Sequence, residues 1–154
     1  MTASPSTDED CMRRALELAR AAEEQGEVPV GAVIVRADGV IVAEAANGPI
    51  ALNDPSAHAE VLALRQAGAA LRNYRLPGCV VFVTLEPCAM CAAAMVHARI
   101  ERLVFAAPDP KSGACGSVLD IPASPAMNHA IRVEQGLLAE EAAQLLRGFF
   151  QRRR

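Results

Sequence analysis

The chain has 154 residues, is 52% hydrophobic and 21% charged, and carries a formal net charge of −3. This length fits one domain with a sizeable core, and the apolar content excludes intrinsic disorder for most of the chain. The negative net charge counts against a protein that simply coats nucleic acid, and no apolar run approaches the length that spans a bilayer.

The first ten residues are polar and acidic, unlike the basic and then apolar start of a secretory signal. We therefore expect a cytosolic protein, in which close cysteine pairs indicate metal sites rather than a disulfide framework. The organisation predicted is a single domain over residues 1–154, with a disordered leader at 1–7 and a basic tail at 152–154.

Two kinds of apolar pattern alternate along the chain. Helical segments show apolar residues at helical spacing, and strands appear as short β-branched runs, two of them around the hairpin signal Asp38-Gly39. In chain order they predict a helix at 8–25 that Thr7 caps, strands at 28–35 and 40–43, a helix from about 54 to 71 that Asp54 or Ser56 caps, a strand at 80–84, a helix at 88–98, strands at 102–106 and 131–134, and a helix at 139–151.

This alternation predicts an α/β fold, with a mixed sheet covered by helices on both faces. The run at 80–84 is almost continuously apolar, which is typical of a strand buried on both sides. The stripe of Leu145, Leu146, Phe149 and Phe150 is expected to anchor the last helix to the sheet.

Two short motifs carry the chemistry, namely His58-Ala59-Glu60 and Pro87-Cys88-Ala89-Met90-Cys91. Cys88 and Cys91 lie three residues apart at a predicted helix start, so both sulfurs fall on one face. The positive helix end favours their thiolates. One imidazole and two thiolates suit tetrahedral Zn²⁺, and three protein ligands leave the fourth position open, as in catalytic zinc sites.

Glu60 lies only two residues from His58, and such residues do not share a helix face. Both can reach one metal-bound water only if His58 lies in the first turn, which makes Glu60 a general acid and base rather than a ligand. The alternative is that Cys88 and Cys91 are ordinary buried cysteines and that His58 is a surface residue.

The combination H-x-E and P-C-x-x-C is the signature of zinc nucleobase deaminases. The chain resembles the bacterial tRNA-specific adenosine deaminases, in the cytidine deaminase-like superfamily, over about residues 8–154. The matching residues are those of 27–33, Asn47, Asp54-Pro55, 58–60, 73–76, 84–91, Val104-Phe105, Asp109, Lys111, Gly113-Ala114, Gly116-Ser117 and Asn128-His129.

The resemblance implies a three-layer α/β/α sandwich with a five-stranded mixed sheet, and a homodimer. It implies that His58, Cys88 and Cys91 hold one Zn²⁺ and that Glu60 carries protons from the zinc water to adenine N1 and then to the departing amino group. The zinc supplies hydroxide for attack on C6, which yields inosine and ammonia at the wobble position of an arginine tRNA anticodon.

Residues outside the zinc motifs are expected to bind the substrate. The resemblance implies that Asn47 hydrogen-bonds the base, although a turn asparagine is the alternative. Val28 and Pro87 match apolar pocket walls, or are ordinary packing residues. Asp109 matches a loop that touches the anticodon, where a ribose 2′-hydroxyl suits it better than a phosphate; the alternative is an aspartate that caps its loop.

The chain departs from the common family pattern at three positions. Ala46 stands where tryptophan is common, and Gly48 and Pro108 stand where arginines are common. Two cations that could contact the anticodon loop are therefore absent. The remaining basic residues are arginines except for Lys111, and Arg152, Arg153 and Arg154 are expected to emerge beyond the last anchored turn and contact tRNA phosphates.

Two other functions use the same motifs. A deaminase of a free base or nucleotide, such as guanine or cytosine, needs the same zinc chemistry. A non-catalytic zinc module that binds RNA needs a fourth ligand, but neither His97 nor His129 lies at ligand spacing from the cysteines. Cys11, Cys79 and Cys115 carry no motif and are expected to be buried.

Overall fold

The structure is a computed structural model that describes residues 7–153; residues 1–6 and 154, with the predicted leader and the tip of the basic tail, lie outside it. In the described part, no helix combines the length and apolar character that crossing a bilayer requires. The elements are α1 (Asp8–Glu24), β1 (Gly31–Val35), β2 (Ile41–Ala46), α2 (Pro49–Leu52), α3 (Ala59–Leu71), β3 (Val80–Leu85), α4 (Ala89–His97), β4 (Arg102–Ala107), β5 (Arg132–Gln135) and α5 (Ala139–Gln151).

The five strands form one mixed sheet in the order β2-β1-β3-β4-β5. β1 runs antiparallel to both of its neighbours, whereas β3, β4 and β5 are parallel. The central strand β3 is buried along its middle four residues, as the continuous apolar run predicts. The sequence accounts for one antiparallel pair through Asp38-Gly39; the second, between β1 and β3, has no comparable local signal.

Helices cover both faces of the sheet. Alternate residues of β3 face opposite sides, so Val81 and Val83 belong to one buried cluster and Phe82 to the other. The first cluster includes the inward residues of α3 and α4, and the second those of α1 and α5. The three-layer α/β/α sandwich with a five-stranded mixed sheet is confirmed.

The two outer strands carry charged side chains that bind neighbouring elements. In β2, Glu44 pairs with Arg14 of α1, and its backbone N–H donates to the side-chain oxygen of Gln66 in α3 at 3.1 Å. In β5, Glu134 pairs with Arg102 of β4. Ion pairs and a hydrogen bond therefore hold neighbouring elements together at the edges of the sheet, in addition to the packing of the core.

The start of α1 places Thr7 in the folded domain. The Thr7 hydroxyl accepts from the Asp10 amide at 3.1 Å, and the Asp10 carboxylate accepts from the Thr7 amide at 3.2 Å. This reciprocal pair is a capping box, which confirms the cap that the sequence predicts. Thr7, the last residue of the predicted leader, therefore caps α1 and belongs to the folded domain.

The helix predicted from residue 54 begins later, at Ala59. Asp54 does not cap it, because the Asp54 carboxylate accepts from the amide and hydroxyl of Ser56 at 2.9 and 2.7 Å and closes a separate turn. His58, with extended backbone, occupies the N-cap position instead. The preceding segment also contains the four-residue helix α2, where the sequence predicts only a loop.

The last helix has the predicted bounds, but two expectations about it are wrong. Phe149 is buried whereas Phe150 is 51% exposed, so Phe150 lies off the anchoring face. Two of the arginines that follow, Arg152 and Arg153, do not project free of partners, and Arg154 lies outside the described residues. Arg152 pairs with Glu23 of α1 at 2.8 Å, and the Arg153 guanidinium lies 3.6 Å from the Phe149 ring centroid.

Candidate active site

Three metal-binding side chains meet where two helices begin. His58 is the N-cap of α3, Cys88 is the N-cap of α4, and Cys91 lies in the first turn of α4. The His58 Nδ1 atom lies 3.6 Å from Cys88 Sγ and 3.4 Å from Cys91 Sγ. One ligand atom from each residue lies within 4.8 Å of the others, which is the spacing that a single ion requires.

The donor set fits zinc. One imidazole nitrogen and two thiol sulfurs match the ligands and softness of tetrahedral Zn²⁺ sites. Over residues 7–153 this cluster has three members, so one coordination position stays open for a water. The other two histidines do not complete it: His129 Nε2 contacts the Ile100 carbonyl at 2.7 Å, and His97 is exposed at the far end of α4.

The first turn of α4 favours the thiolate that a metal needs. A hydrogen bond from the Cys91 thiol lowers the pKa of Cys88, and the amides of Cys91 and Met90 act in the same direction. The same interaction raises the pKa of Cys91, since the two sulfurs share one proton. Metal binding displaces the thiol protons and removes this competition.

Glu60 lies beside the cluster but is not part of it. Glu60 is the second residue of α3 and follows the N-cap residue His58, whose backbone is extended. His58 therefore lies at the start of the helix, as it must if both side chains are to reach one metal-bound water. Its side chain is 4% exposed, and burial raises the pKa of Glu60 to about 7. A carboxyl group in this position can accept a proton and return it near neutral pH.

Two of the predicted base-binding residues, Asn47 and Pro87, lie on segments connected to the metal-binding cluster. Asn47 directly follows β2, and its backbone N–H donates to the Val30 carbonyl at 3.0 Å. The next amide, of Gly48, donates to the Ala57 carbonyl beside His58, also at 3.0 Å. Pro87 is buried immediately before Cys88. The structure thus ties the Asn47 segment to the turn that carries the first ligand.

Val28 and Asp109 lie farther out, in a groove of about 950 Å³ between residues 108–112 and α5. Phe150 and Arg153 form part of its opposite wall. One Asp109 carboxylate oxygen accepts from the amides of Lys111 and Ser112 at 3.0 and 3.2 Å. This is the loop-capping contact that the sequence left open as an alternative, and it occupies one of the two oxygens.

Two buried carboxylates escaped the sequence analysis as site residues. Glu27 is 2% exposed and accepts from the amides of Ile50 and Ala51 at 3.1 and 2.8 Å, which holds the start of α2 next to Asn47. Glu86 is 3% exposed, beside Pro87. Burial raises its pKa, but hydrogen bonds from Ser117 and backbone amides outweigh burial and leave the pKa lowered. For Glu86, a charged residue at the end of an apolar strand was the available signal, whereas Glu27 follows the polar residues 23–26 and has no comparable signal.

The cysteines outside the cluster behave as expected. Cys11, Cys79 and Cys115 are all buried and free, with no disulfide. Burial raises the pKa of each of these thiols, most clearly that of Cys115, to about 12. They are therefore small hydrophobic residues rather than further ligands.

The sequence matches the family model described as the cytidine and deoxycytidylate deaminase zinc-binding region over residues 5–107. This stretch contains all three members of the metal-binding cluster and Glu60. It ends at the last residue of β4, so the groove wall at 108–112 and helix α5 lie beyond it.

Relatives that match most of this chain indicate a more specific group within the family. A tRNA-specific adenosine deaminase of Haemophilus influenzae is 52% identical over 147 residues, which cover 96% of this chain and 85% of that protein. A solved structure from studies of A-to-I editing by tRNA:A34 deaminases is 48% identical, with a TM-score of 0.86, and the match covers 88% of this chain and 98% of that one. A guanine deaminase of Nitrosomonas europaea is more distant, at 29% identity and a TM-score of 0.79, over 96% of this chain and 86% of that one.

Proposed function

The chain belongs to the cytidine and deoxycytidylate deaminase family, and we propose that it deaminates adenosine to inosine at the wobble position of a tRNA anticodon, in an arginine tRNA. One observation carries this proposal: His58, Cys88 and Cys91 surround a single point beside the buried carboxyl group of Glu60. The greater similarity to tRNA adenosine deaminases than to guanine deaminase supports the choice of substrate.

The reaction divides between the metal and the carboxyl group. His58, Cys88 and Cys91 would hold the zinc ion, which would act as a Lewis acid and lower the pKa of a bound water. Glu60 takes one proton from the attacking water and delivers it to adenine N1. It then takes the second proton, from the hydroxyl group added at C6, and delivers it to the amino group, which leaves as ammonia. Burial keeps Glu60 away from competing solvent protons and close to the ligands.

The target base has to leave its stack to reach this depth. An anticodon loop is already single-stranded, so the cost of extrusion is small. We assign Asn47 to a hydrogen bond with the base, and Val28 and Pro87 to apolar walls. The free carboxylate oxygen of Asp109 is assigned to a ribose 2′-hydroxyl, since the other oxygen caps its own loop.

Phosphate contacts are assigned to the cations that line the groove. Lys111, Arg147 and Arg153 lie on its two walls, in a protein whose net charge is otherwise unfavourable for RNA. Gly48 and Pro108 replace arginines that are common in the family. We therefore assign most of the electrostatic attraction for RNA to the cations of this groove. Arg147 and Arg152 contribute less in this scheme because Glu140 and Glu23 pair with them.

The assembly proposed is a homodimer with one zinc ion per subunit, in the cytoplasm where tRNA is found. Light scattering after size-exclusion chromatography tests the dimer directly. A mass of one chain, about 16.2 kDa, in the active fraction would exclude it.

The substrate is tested with a panel of candidates offered to the purified zinc protein. It contains an arginine anticodon stem-loop with adenosine at the wobble position, the same stem-loop with that adenosine moved by one nucleotide, free adenosine, guanine and cytosine. We expect inosine and ammonia from the first stem-loop alone. Conversion of guanine, which the likeness to guanine deaminase favours, would replace this proposal by free-base deamination. Zinc binding without any product would indicate the non-catalytic module.

A further inference from the structure

The carboxylate of Glu86 accepts hydrogen bonds from three different residues of one loop. The Asp109 amide donates to Oε1 at 3.0 Å, and the amides of Cys115 and Ser117 donate to Oε2 at 3.0 and 3.1 Å. The Ser117 hydroxyl donates to Oε1 as well. Both ends of the segment 109–117, which we call the 109–117 loop, are therefore held by one buried side chain.

The loop closes around this carboxylate without spare room. A Cβ atom on Gly113 would lie 2.3 Å from Glu86 Cδ and 2.4 and 2.5 Å from its oxygens, far inside van der Waals contact. The loop also closes on itself, because the Gly113 amide donates to the Asp109 carbonyl at 2.9 Å. Glycine at 113 is thus required by the position of Glu86.

Glu86 connects two parts of the molecule that act on different portions of the substrate. In sequence it joins the end of β3 to Pro87 and Cys88, the start of the metal-binding turn. In space it holds the 109–117 loop, whose first residues form one wall of the groove that faces α5. A further hydrogen bond, from the Ala114 amide to the Pro87 carbonyl at 2.9 Å, also joins the 109–117 loop to the start of the metal-binding turn.

We propose that Glu86 is a positioning residue that holds the 109–117 loop in its RNA-binding form, in register with the metal-binding turn. The proposal rests on the tRNA function proposed above. A charged acceptor suits this task because hydrogen bonds to an ionised carboxylate are about twice as strong as neutral ones. The loop is thereby ordered before RNA arrives, and binding energy is not spent on ordering it.

The principal test is Glu86→Gln, which keeps the shape and removes the charge. A glutamine amide can still donate to the Ser117 hydroxyl, but its NH₂ group then faces the Asp109 amide and cannot accept from it. Hydrogen exchange of the zinc-loaded protein should show about 10-fold faster exchange at Asp109, with core amides of β3 unchanged.

The kinetic readout separates positioning from catalysis. For the arginine anticodon stem-loop, KM should rise about 10-fold while kcat changes less than about 2-fold, because Glu60 and the ligands are untouched. Glu134→Gln, in the exposed ion pair of β5, is the matched control and should leave KM unchanged.

Two further variants, in the 109–117 loop, test the same contact. Ser117→Ala removes one of the four donors and should give a smaller rise in KM, so the test survives if Glu86→Gln fails to fold. Gly113→Ala should raise KM in the parent by displacing the carboxylate, and add nothing in a Glu86→Ala background. An additive effect in that background would place the role of Gly113 elsewhere.

The opposing results are distinct. If Glu86→Gln loses zinc, or lowers kcat with KM unchanged, Glu86 serves the metal-binding turn and the proposal is wrong. It is also wrong if exchange at Asp109 does not change. If the parent protein deaminates no RNA, the proposed function fails, whereas the exchange measurement still decides whether Glu86 orders the loop.

Discussion

Two buried carboxyl groups beside the same metal-binding cluster have pKa values that their surroundings shift in opposite directions. Burial raises the pKa of Glu60 to about 7, whereas Glu86, equally buried, has a lowered pKa because four hydrogen bonds converge on it. Burial has the larger effect on the pKa of Glu60, whereas the converging hydrogen bonds have the larger effect on that of Glu86. Glu60 is therefore suited to moving protons and Glu86 to holding structure.

Replacing Glu60 by glutamine should abolish proton transfer while the zinc site remains. The amide has nearly the same shape but cannot accept a proton from water, so kcat on the anticodon stem-loop should fall by at least about 10²-fold. Zinc content, measured by plasma emission spectroscopy, should stay at one ion per chain. A zinc-loaded Glu60→Gln protein as active as its parent contradicts the assignment.

Replacing a metal-binding residue should remove the zinc itself, in contrast to the Glu60 variant. Cys88→Ala leaves one nitrogen and one sulfur donor, so we expect the protein to lose zinc and activity together after dialysis against a weak chelator. Cys79→Ala, which removes a buried cysteine of the core, is the matched control and should retain one zinc. Retention of zinc by Cys88→Ala would show that the ligand set is wrong.

At the scale of elements, the sequence predicts most of this molecule. In the described part of the chain, all four of the longer helices and all five strands lie within a few residues of their predicted places, because most of them have an apolar period or a continuous apolar run. The cluster of His58, Cys88 and Cys91 was also predicted, since its two motifs are short and their ligand spacing is local.

The remaining differences arise from tertiary contacts that no local pattern records. Asp54 and Ser56 form a helix-cap signal, but they bond to each other and α3 begins later. Phe150 continues the apolar stripe of α5, yet it lies off the face that packs on the sheet. Glu27 and Glu86 bind loops distant in sequence, so spacing alone did not reveal their partners.

The contact between α1 and β1 depends on a missing side chain. A Cβ atom on Gly31 would lie 2.0 Å from the Ala15 carbonyl oxygen and 2.8 Å from the Ala19 amide nitrogen. Because these are backbone atoms, Gly31→Ala should lower the free energy of unfolding by about 3 kcal/mol, measured by urea denaturation. Gly68→Ala within α3, where the nearest atom lies at 3.4 Å, should be neutral or stabilising.

The end of α5 offers a test of RNA attraction. Arg153 lines the groove and is held over Phe149, so Arg153→Ala should weaken stem-loop binding and reduce the slope of log K against log salt by up to about 0.7. Arg36→Ala, in the turn between β1 and β2, should leave the slope unchanged. An unchanged slope in Arg153→Ala would place phosphate binding elsewhere.

At the scale of the whole molecule, one arginine ties three elements together. Arg102 of β4 donates to Asp8 at the start of α1, at 3.1 Å through one nitrogen, and also binds Glu134 of β5. Its side chain is 16% exposed, whereas both carboxylates are about half exposed. The contact closes the sandwich at the end of the sheet where α1 begins.

This tie should make stability depend on pH. The hydrogen bond from Arg102 lowers the pKa of Asp8, so the contact stabilises the folded protein above the unfolded pKa of about 3.9 and is lost as pH falls through the folded value. Asp8→Asn should therefore lower the melting temperature at pH 7, and the difference from the parent should shrink below about pH 4. Glu24→Gln, exposed at the end of α1, should show no such dependence on pH.

The outer strands of the sheet affect how copies of the chain behave toward one another. An edge strand with free backbone groups is a template on which a neighbouring molecule can add a strand, and repeated addition leads to fibrils. Here the Glu44 N–H of β2 is already bound by Gln66, and β5 is only four residues long and bears Arg132 and Glu134. Concentrated solutions of the folded protein should therefore resist fibril growth through their sheet edges.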